Sequence, residues 1–510
     1  MSQQKKAEGP DFGAGISISA VTDGATITGR VGDQPVLLSR RGSAYFAVSG
    51  SCTHYGGHLA DGLIEGDHVH CPLHHACFNL RSGEALTAPA FDPLQRWRVD
   101  VEGSSLFVRE KLPAAEHPAP ANADQHARSI VIVGGGAAGF AAAEMLRRRG
   151  FDGGLTMLSA DVDPPCDRPN LSKDYLAGTA SEGWIPLKGE DFYHDLEIDL
   201  RLGKTVLQID RQRQEVIIAG DRFRYDALLL ATGASPIRPS GDGFALPNAY
   251  VLRTLADARA IIAAAAGAKS VAVLGASFIG LETAASLRQR GLEVHVIAPE
   301  AVPLERVLGR EVGALIHRIH DAHGVNFHLG QTAVTFDGRK LRLSDGNEVE
   351  VDFVVMGVGV RPNTRLASDA GLDVDNGVIV DDRMRTSDPA IFAAGDIARY
   401  CDPRLDERIR VEHWVAAERQ GQAAAASMLG DERAFSATPF FWSAHYDQSI
   451  RYVGHAQNWG EIEIDGSVAA KRFTARYMKG GRLLAAASLG RDKESLDIQS
   501  RMDQAAAHAS

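Results

Sequence analysis

Cys52-Thr-His54 and Cys71-Pro-Leu-His74 bring a thiol and an imidazole together twice, with 16 residues between His54 and Cys71. Two such pairs on two loops suit the holding of metal. Thiolates fit one iron of a two-iron, two-sulfide cluster and imidazoles fit the other. One tetrahedral zinc could use the same four ligands, but the paired spacing and the β-rich surroundings favour the cluster. Five cysteines in 510 residues is no disulfide scaffold, although Cys52, Cys71 and Cys77 cluster closely. Cys77 reads as a small buried hydrophobe, and His58, His68, His70 and His75 as polar loop or strand residues.

A second chemistry is written in glycine. Gly134-Gly-Gly136-Ala-Ala-Gly139 follows an apolar run and opens an alanine-rich helix. The first glycine allows a tight turn, the second lets backbone approach a pyrophosphate, and the third lets helix and strand pack closely. The helix N-terminus then favours the phosphates. The whole stretch from Ser129 to Phe151 recurs from Ser270 to Leu292 at a constant offset, 270 − 129 = 141, so that Gly275 and Gly280 match Gly134 and Gly139. Two dinucleotide-type units in one chain imply one nucleotide site each.

The elements that position these groups change character along the chain. Residues 11–110 alternate with period two in short runs (Gly15–Ala20, Ala25–Val31, Ala44–Val48, Trp97–Val101), which predicts a small antiparallel β domain. A Pro- and Ala-rich stretch, 111–127, reads as a semi-extended linker. Strand–glycine–helix units follow. Lys plus Arg is 54 against 65 for Asp plus Glu, a net charge of −11, which argues against nucleic acid or an anionic membrane as partner. The longest apolar run, near Ile261–Ala266, is too short to span a bilayer, and MSQQKKAEGP has no apolar signal core. A soluble cytoplasmic protein is the expectation.

Residues 11–110 resemble a Rieske ferredoxin domain, with Cys52, His54, Cys71 and His74 on its four ligand positions. High-potential Rieske proteins carry an extra cysteine in each loop and a serine donor to the cluster. Here Gly57, Leu73 and Ala76 stand there instead, which implies a potential toward the lower end of the range. From residue 128 onward the chain resembles the ferredoxin-reductase flavoproteins, through Pro165-Cys-Asp167-Arg168-Pro169-Asn-Leu-Ser-Lys173, Ala231-Thr232-Gly233-Ala and Ile391-Phe-Ala-Ala-Gly395-Asp396. A Rieske domain fused ahead narrows the resemblance to Rieske-containing, apoptosis-inducing-factor-like reductases.

That resemblance implies a multidomain fold: the β domain, two glutathione-reductase-like α/β Rossmann domains, and a small α+β C-terminal domain. The implied FAD domain is 128–246 with 357–435, the NAD(P)H domain 247–356, and the C-terminal domain 436–510. It implies FAD contacts at Gly134, Gly136, Gly139, Asp161, Arg168, Lys173, Thr232, Gly233, Gly359, Asp396 and Trp442, and nicotinamide nucleotide at Gly275 and Gly280. Lys173 and Glu282 are the implied catalytic pair beside the flavin.

Three positions depart from the family pattern. Cys166 replaces a tyrosine, Ser277 replaces the middle glycine of the second turn, and Ala298 replaces the acid that would bond a ribose 2′-hydroxyl. Glu300 could substitute, and NADH is the favoured donor over NADPH. No C-x-x-C is present, so dithiol chemistry is not expected. The activity implied is NAD(P)H oxidation through FAD and the [2Fe-2S] cluster to an unidentified protein or small-molecule acceptor. A redox sensor and an oxygenase-system reductase are the alternatives, and a homodimer is left open.

Overall fold

The computed structural model describes residues 9–113 and 128–507. The linker read at 111–127 falls outside them save for 111–113. The described chain forms two compact units. One contains residues 9–113 with 148–150 and 491–504, and the other contains 128–147, 151–490 and 505–507.

The first unit is built on a six-stranded antiparallel sheet, ordered Ile16–Ser17, Ser105–Leu112, Arg96–Glu102, Ala44–Ser49, Gln34–Arg41, Thr26–Val31. Alternation puts Val36, Leu38, Ala47 and Trp97 into one core with Phe12 and Leu106. A four-stranded antiparallel sheet, Leu63–Glu65, His68–His70, Cys77–Asn79 and Ala85–Thr87, carries a second core of Val69, Phe78 and Leu80. The run expected as a strand over Gly15–Ala20 is a strand only at Ile16–Ser17. Ile18–Ala20 forms a 3₁₀ turn, because the Ser17 hydroxyl accepts from the Ser19 amide at 3.3 Å and draws the backbone out of the ladder.

The second unit holds the two repeats as two parallel sheets. The first has the order Ile198–Arg201, Gly154–Leu158, Ser129–Val133, Ala227–Leu230, Ile391–Ala393. The second runs Ala249–Val251, Phe353–Met356, Ser270–Leu274, Glu293–Ala298, Val325–Leu329. Their central strands are buried on both faces, which is why Ile130–Val133 and Val271–Leu274 are continuously apolar. Gly134 and Gly275 turn with φ of +117° and +102°, and a Cβ at Gly139 or Gly280 would overlap the Gly134 or Gly275 carbonyl. A five-stranded antiparallel sheet, ordered Phe440–His445, Gln448–Gly454, Arg482–Leu489, Arg472–Lys479, Glu461–Ser467, completes this unit. Among the described residues, no helix is long and apolar enough to cross a membrane.

Helix Glu305–Ala322 meets that antiparallel sheet through two fully buried histidines, His320 Nε2 and His445 Nδ1 at 3.0 Å. Burial pushes His320 down to about 2 and His445 to about 3, so both are neutral in the fold. In the unfolded chain each titrates near 6.5. As pH falls below that value the unfolded state binds protons that the native state refuses. Stability is therefore intact above pH 6.5 and should drop by about 1.4 kcal/mol per pH unit for each histidine down to the native values. Urea unfolding at pH 7 and pH 5 should show a shallower loss in His445→Gln than in wild type; equal losses would rule the pair out as the cause.

Candidate active site and metal centre

Both glycine turns border one cavity of about 1510 Å³ in the second unit, larger than the roughly 300–1,000 Å³ typical of a single small ligand. Gly134, Gly136, Asp161, Arg168, Thr232, Gly233 and Asp396 line it from the first repeat and its returning segment. Glu282 and Gly359 line it from the second, with Lys173 and Trp442. Gly139, Gly275 and Gly280 are off the wall and serve the turn–helix packing instead. Gly136 has only the Arg168 guanidinium near its would-be Cβ, so backbone there is open to a phosphate. Arg168 pairs with Asp161 at 2.9 Å.

Lys173 and Glu282 meet at 2.8 Å between Nζ and Oε2, with Glu282 buried. The Ser172 hydroxyl donates to the same oxygen at 2.6 Å, and the Ser443 hydroxyl donates to Oε1 at 2.7 Å. The Lys173 ammonium also donates to the Pro169 carbonyl and stands 5.8 Å from the centre of the Trp442 ring. Trp442 thus belongs to the cavity wall rather than to a closed core.

Sequence reasoning passed over Ser172, although it lies within the quoted motif, and Ser443, which directly follows Trp442. It also missed Arg253, which pairs with Asp396 at 2.6 Å, and His413, a cavity residue pushed down to about 3 by burial. No local motif marks Arg253.

The departures are equally specific. The Ser277 hydroxyl caps its helix by accepting from the Gly280 amide at 3.2 Å, and donates to the Gly357 carbonyl at 3.0 Å. Cys166 is buried and pushed up to about 11 by desolvation, an inert thiol. Ala298 is fully buried within the core of the second parallel sheet and does not line the cavity.

In the first unit the four candidate ligands sit on two loops of one design. The Cys52 amide donates to Gly57 O and the Gly56 amide to Cys52 O; likewise the Cys71 amide donates to Ala76 O and the His75 amide to Cys71 O. The loops bring His54 Nδ1 and His74 Nδ1 to 3.2 Å. Cys71 beside it and burial push the Cys52 thiol well up, so a metal cation is what would hold this pair as thiolates. Burial pushes His54 down to about 3, the neutral state an imidazole needs to bind metal. Among the described residues no group of three or more His, Cys, Asp or Glu is placed to hold a metal ion. Two thiols and two imidazoles brought together by two loops are the donors that a two-iron cluster takes, one pair for each iron. The donor set fits the cluster.

Two nucleotide turns on one cavity, with a lysine–glutamate pair between them, define a flavoprotein that exchanges hydride with a nicotinamide. Residues 128–421 match the family described as pyridine nucleotide-disulphide oxidoreductase, and the chain belongs to it. Residues 16–98 match the Rieske [2Fe-2S] domain and 440–509 the reductase C-terminal domain. The chain is 31% identical over 476 residues to apoptosis-inducing factor 3 of Homo sapiens, covering 90% of this chain and 78% of that one. It is 41% identical over 371 residues to the anthranilate 1,2-dioxygenase system ferredoxin–NAD(+) reductase component of Burkholderia cepacia, covering 71% and 91%. Reductase from the covalent putidaredoxin reductase–putidaredoxin complex superposes with a TM-score of 0.72 at 34% identity, covering 74% of this chain and 93% of that one. The protein is an NAD(P)H-dependent flavoprotein reductase of the ferredoxin-reductase type, with FAD and a Rieske [2Fe-2S] cluster as its cofactors.

Removing the Ser443 hydroxyl leaves Glu282 Oε1 with only the Ala444 amide at 3.4 Å. Ser443→Ala should therefore lose about 1–3 kcal/mol of stability in chemical denaturation of the flavin-bound protein. An unchanged midpoint would show that the oxygen has found another donor.

Proposed function

We propose that this chain oxidises NADH and sends single electrons through its own Rieske domain to an electron-accepting protein. The observation that carries this reading is the Lys173–Glu282 pair, buried on the wall shared by both repeats. FAD, when bound, supplies the conversion of a two-electron hydride into single electrons. The chain's own residues do the rest. Gly134 and Gly136 with the helix after them receive the flavin pyrophosphate, and Arg168 adds charge there. The Gly275–Gly280 turn receives the nicotinamide nucleotide. Glu282 pairs with Lys173 at 2.8 Å and holds it beside Trp442, where a cation would meet charge developing on a bound ring. Cys52 and Cys71 would bind one iron of the cluster and His54 and His74 the other.

Relatives named ferredoxin–NAD(+) reductase and rubredoxin-NAD(+) reductase support NADH as donor. The putidaredoxin reductase–putidaredoxin complex supports a small redox protein as acceptor. Anaerobic stopped-flow with NADH should bleach the flavin first and reduce the cluster next, with fast turnover once an acceptor protein is added. Slow turnover with every acceptor and a persistent reduced complex would favour a sensor instead.

The order of the two nucleotide sites has its own test. Gly280→Ala forces a Cβ into the Gly275 carbonyl and deforms only the second turn. It should raise the KM for NADH about tenfold or more while FAD stays bound. Loss of flavin with NADH affinity kept would reverse the assignment.

A further inference from the structure

The two ligand loops share one hydrogen-bond pattern, and in both the residue four after the cysteine has a left-handed backbone. In the first loop that residue is Gly56, with φ of +71° and nothing near its would-be Cβ. In the second it is His75, with φ of +61° and a buried side chain. A histidine in this conformation crowds its Cβ against the backbone, a steric cost that a glycine does not carry. Something specific must hold it.

That contact comes from 424 residues away. His75 Nδ1–H donates to Gln499 Oε1 at 2.6 Å, on helix Asp492–Ala507. The Gln499 amide nitrogen faces Asp503 at 3.4 Å, which fixes its orientation and leaves the oxygen for His75. Gln499 itself is buried. The same helix anchors a second time, with the Ser500 hydroxyl at 2.6 Å and the Gln504 amide at 3.1 Å both donating to Glu65 Oε1. Glu65 ends the strand that pairs with His68–His70, immediately before Cys71. The helix thus grips the second ligand loop on both sides of its cysteine.

We infer that Gln499 is a positioning residue for the cluster, which locks the left-handed peptide after His74 and with it the ligand loop. This rests on the Rieske assignment of Cys52, His54, Cys71 and His74. The lock works through geometry: His75 held at positive φ fixes the peptide joining it to His74, and hence the direction of the His74 ring. Without the Gln499 oxygen, His75 gains by relaxing its backbone, and the loop loosens around the metal.

Gln499→Met keeps the side-chain volume and removes the acceptor. In the purified holoprotein it should retain about two irons per chain but lose the cluster to a chelator about 2- to 10-fold faster, the size expected of one hydrogen bond. The reduced-state EPR spectrum should broaden or shift. Reduction of the flavin by NADH should keep its rate.

His75→Gly is the decisive partner, since glycine takes the left-handed conformation freely. In that background Gln499→Met should have no further effect on chelator loss or EPR, and the double variant should hold its cluster as wild type does. Unchanged chelation and EPR in Gln499→Met would overturn the proposal. So would an equal effect in the His75→Gly background, which would make Gln499 a packing residue. Wild-type protein without iron would overturn the Rieske assignment itself rather than the role of Gln499.

Discussion

A carboxylate held almost wholly out of water is the constraint around which the reductase unit is arranged. Glu282 costs several kcal/mol to bury as an ion unless its oxygens are fully met. They are met from two directions, by Ser172 and Lys173 from the first repeat and by Ser443 and Ala444 from the antiparallel sheet, with Glu282 itself on the helix of the second repeat. None of these segments can shift without exposing an unpaired charge. The ion pair therefore serves structure and chemistry together. It ties the two repeats and the antiparallel sheet together at the cavity wall and keeps a lysine there.

The parts of this arrangement that could be read from sequence are those that depend on local backbone geometry. A glycine that must turn with positive φ, and another that must leave room for a carbonyl, are constraints confined to a few residues. The repeat at an offset of 141 residues is therefore visible, and so are Cys52, His54, Cys71 and His74, whose spacing is set by the loops themselves. Ser443 and Arg253 are different. Their partners are 161 and 143 residues away, and nothing in the flanking sequence encodes that distance. Ala298 is packed fully into the core, a burial that its place at the end of a strand does not reveal in sequence.

The histidines illustrate how one residue type divides by environment. His54 and His74 face each other across two loops, His320 and His445 share one hydrogen inside a dry contact, and His75 carries a strained backbone bonded to Gln499. Read from sequence, His75 was one more polar loop residue. Its burial, its backbone angle and its distant acceptor separate it from His58 or His68, and all three are tertiary facts.

The cysteines complete the physical argument about where electrons go. The family description includes disulphide chemistry, but a flavin-linked dithiol needs two thiols close together with at least one easily ionised. Here Cys166 lies buried beside the flavin motif and is pushed up to about 11, and no cysteine forms a disulfide with it. Cys401 is exposed and Cys77 is packed against His70. The close pair of thiols is Cys52 with Cys71, on loops that also carry the imidazoles of His54 and His74. An acceptor built into this chain is therefore a one-electron iron–sulfur centre and not a two-electron disulfide. A one-electron centre requires a flavin able to divide its electron pair, and the cavity is lined without cysteine.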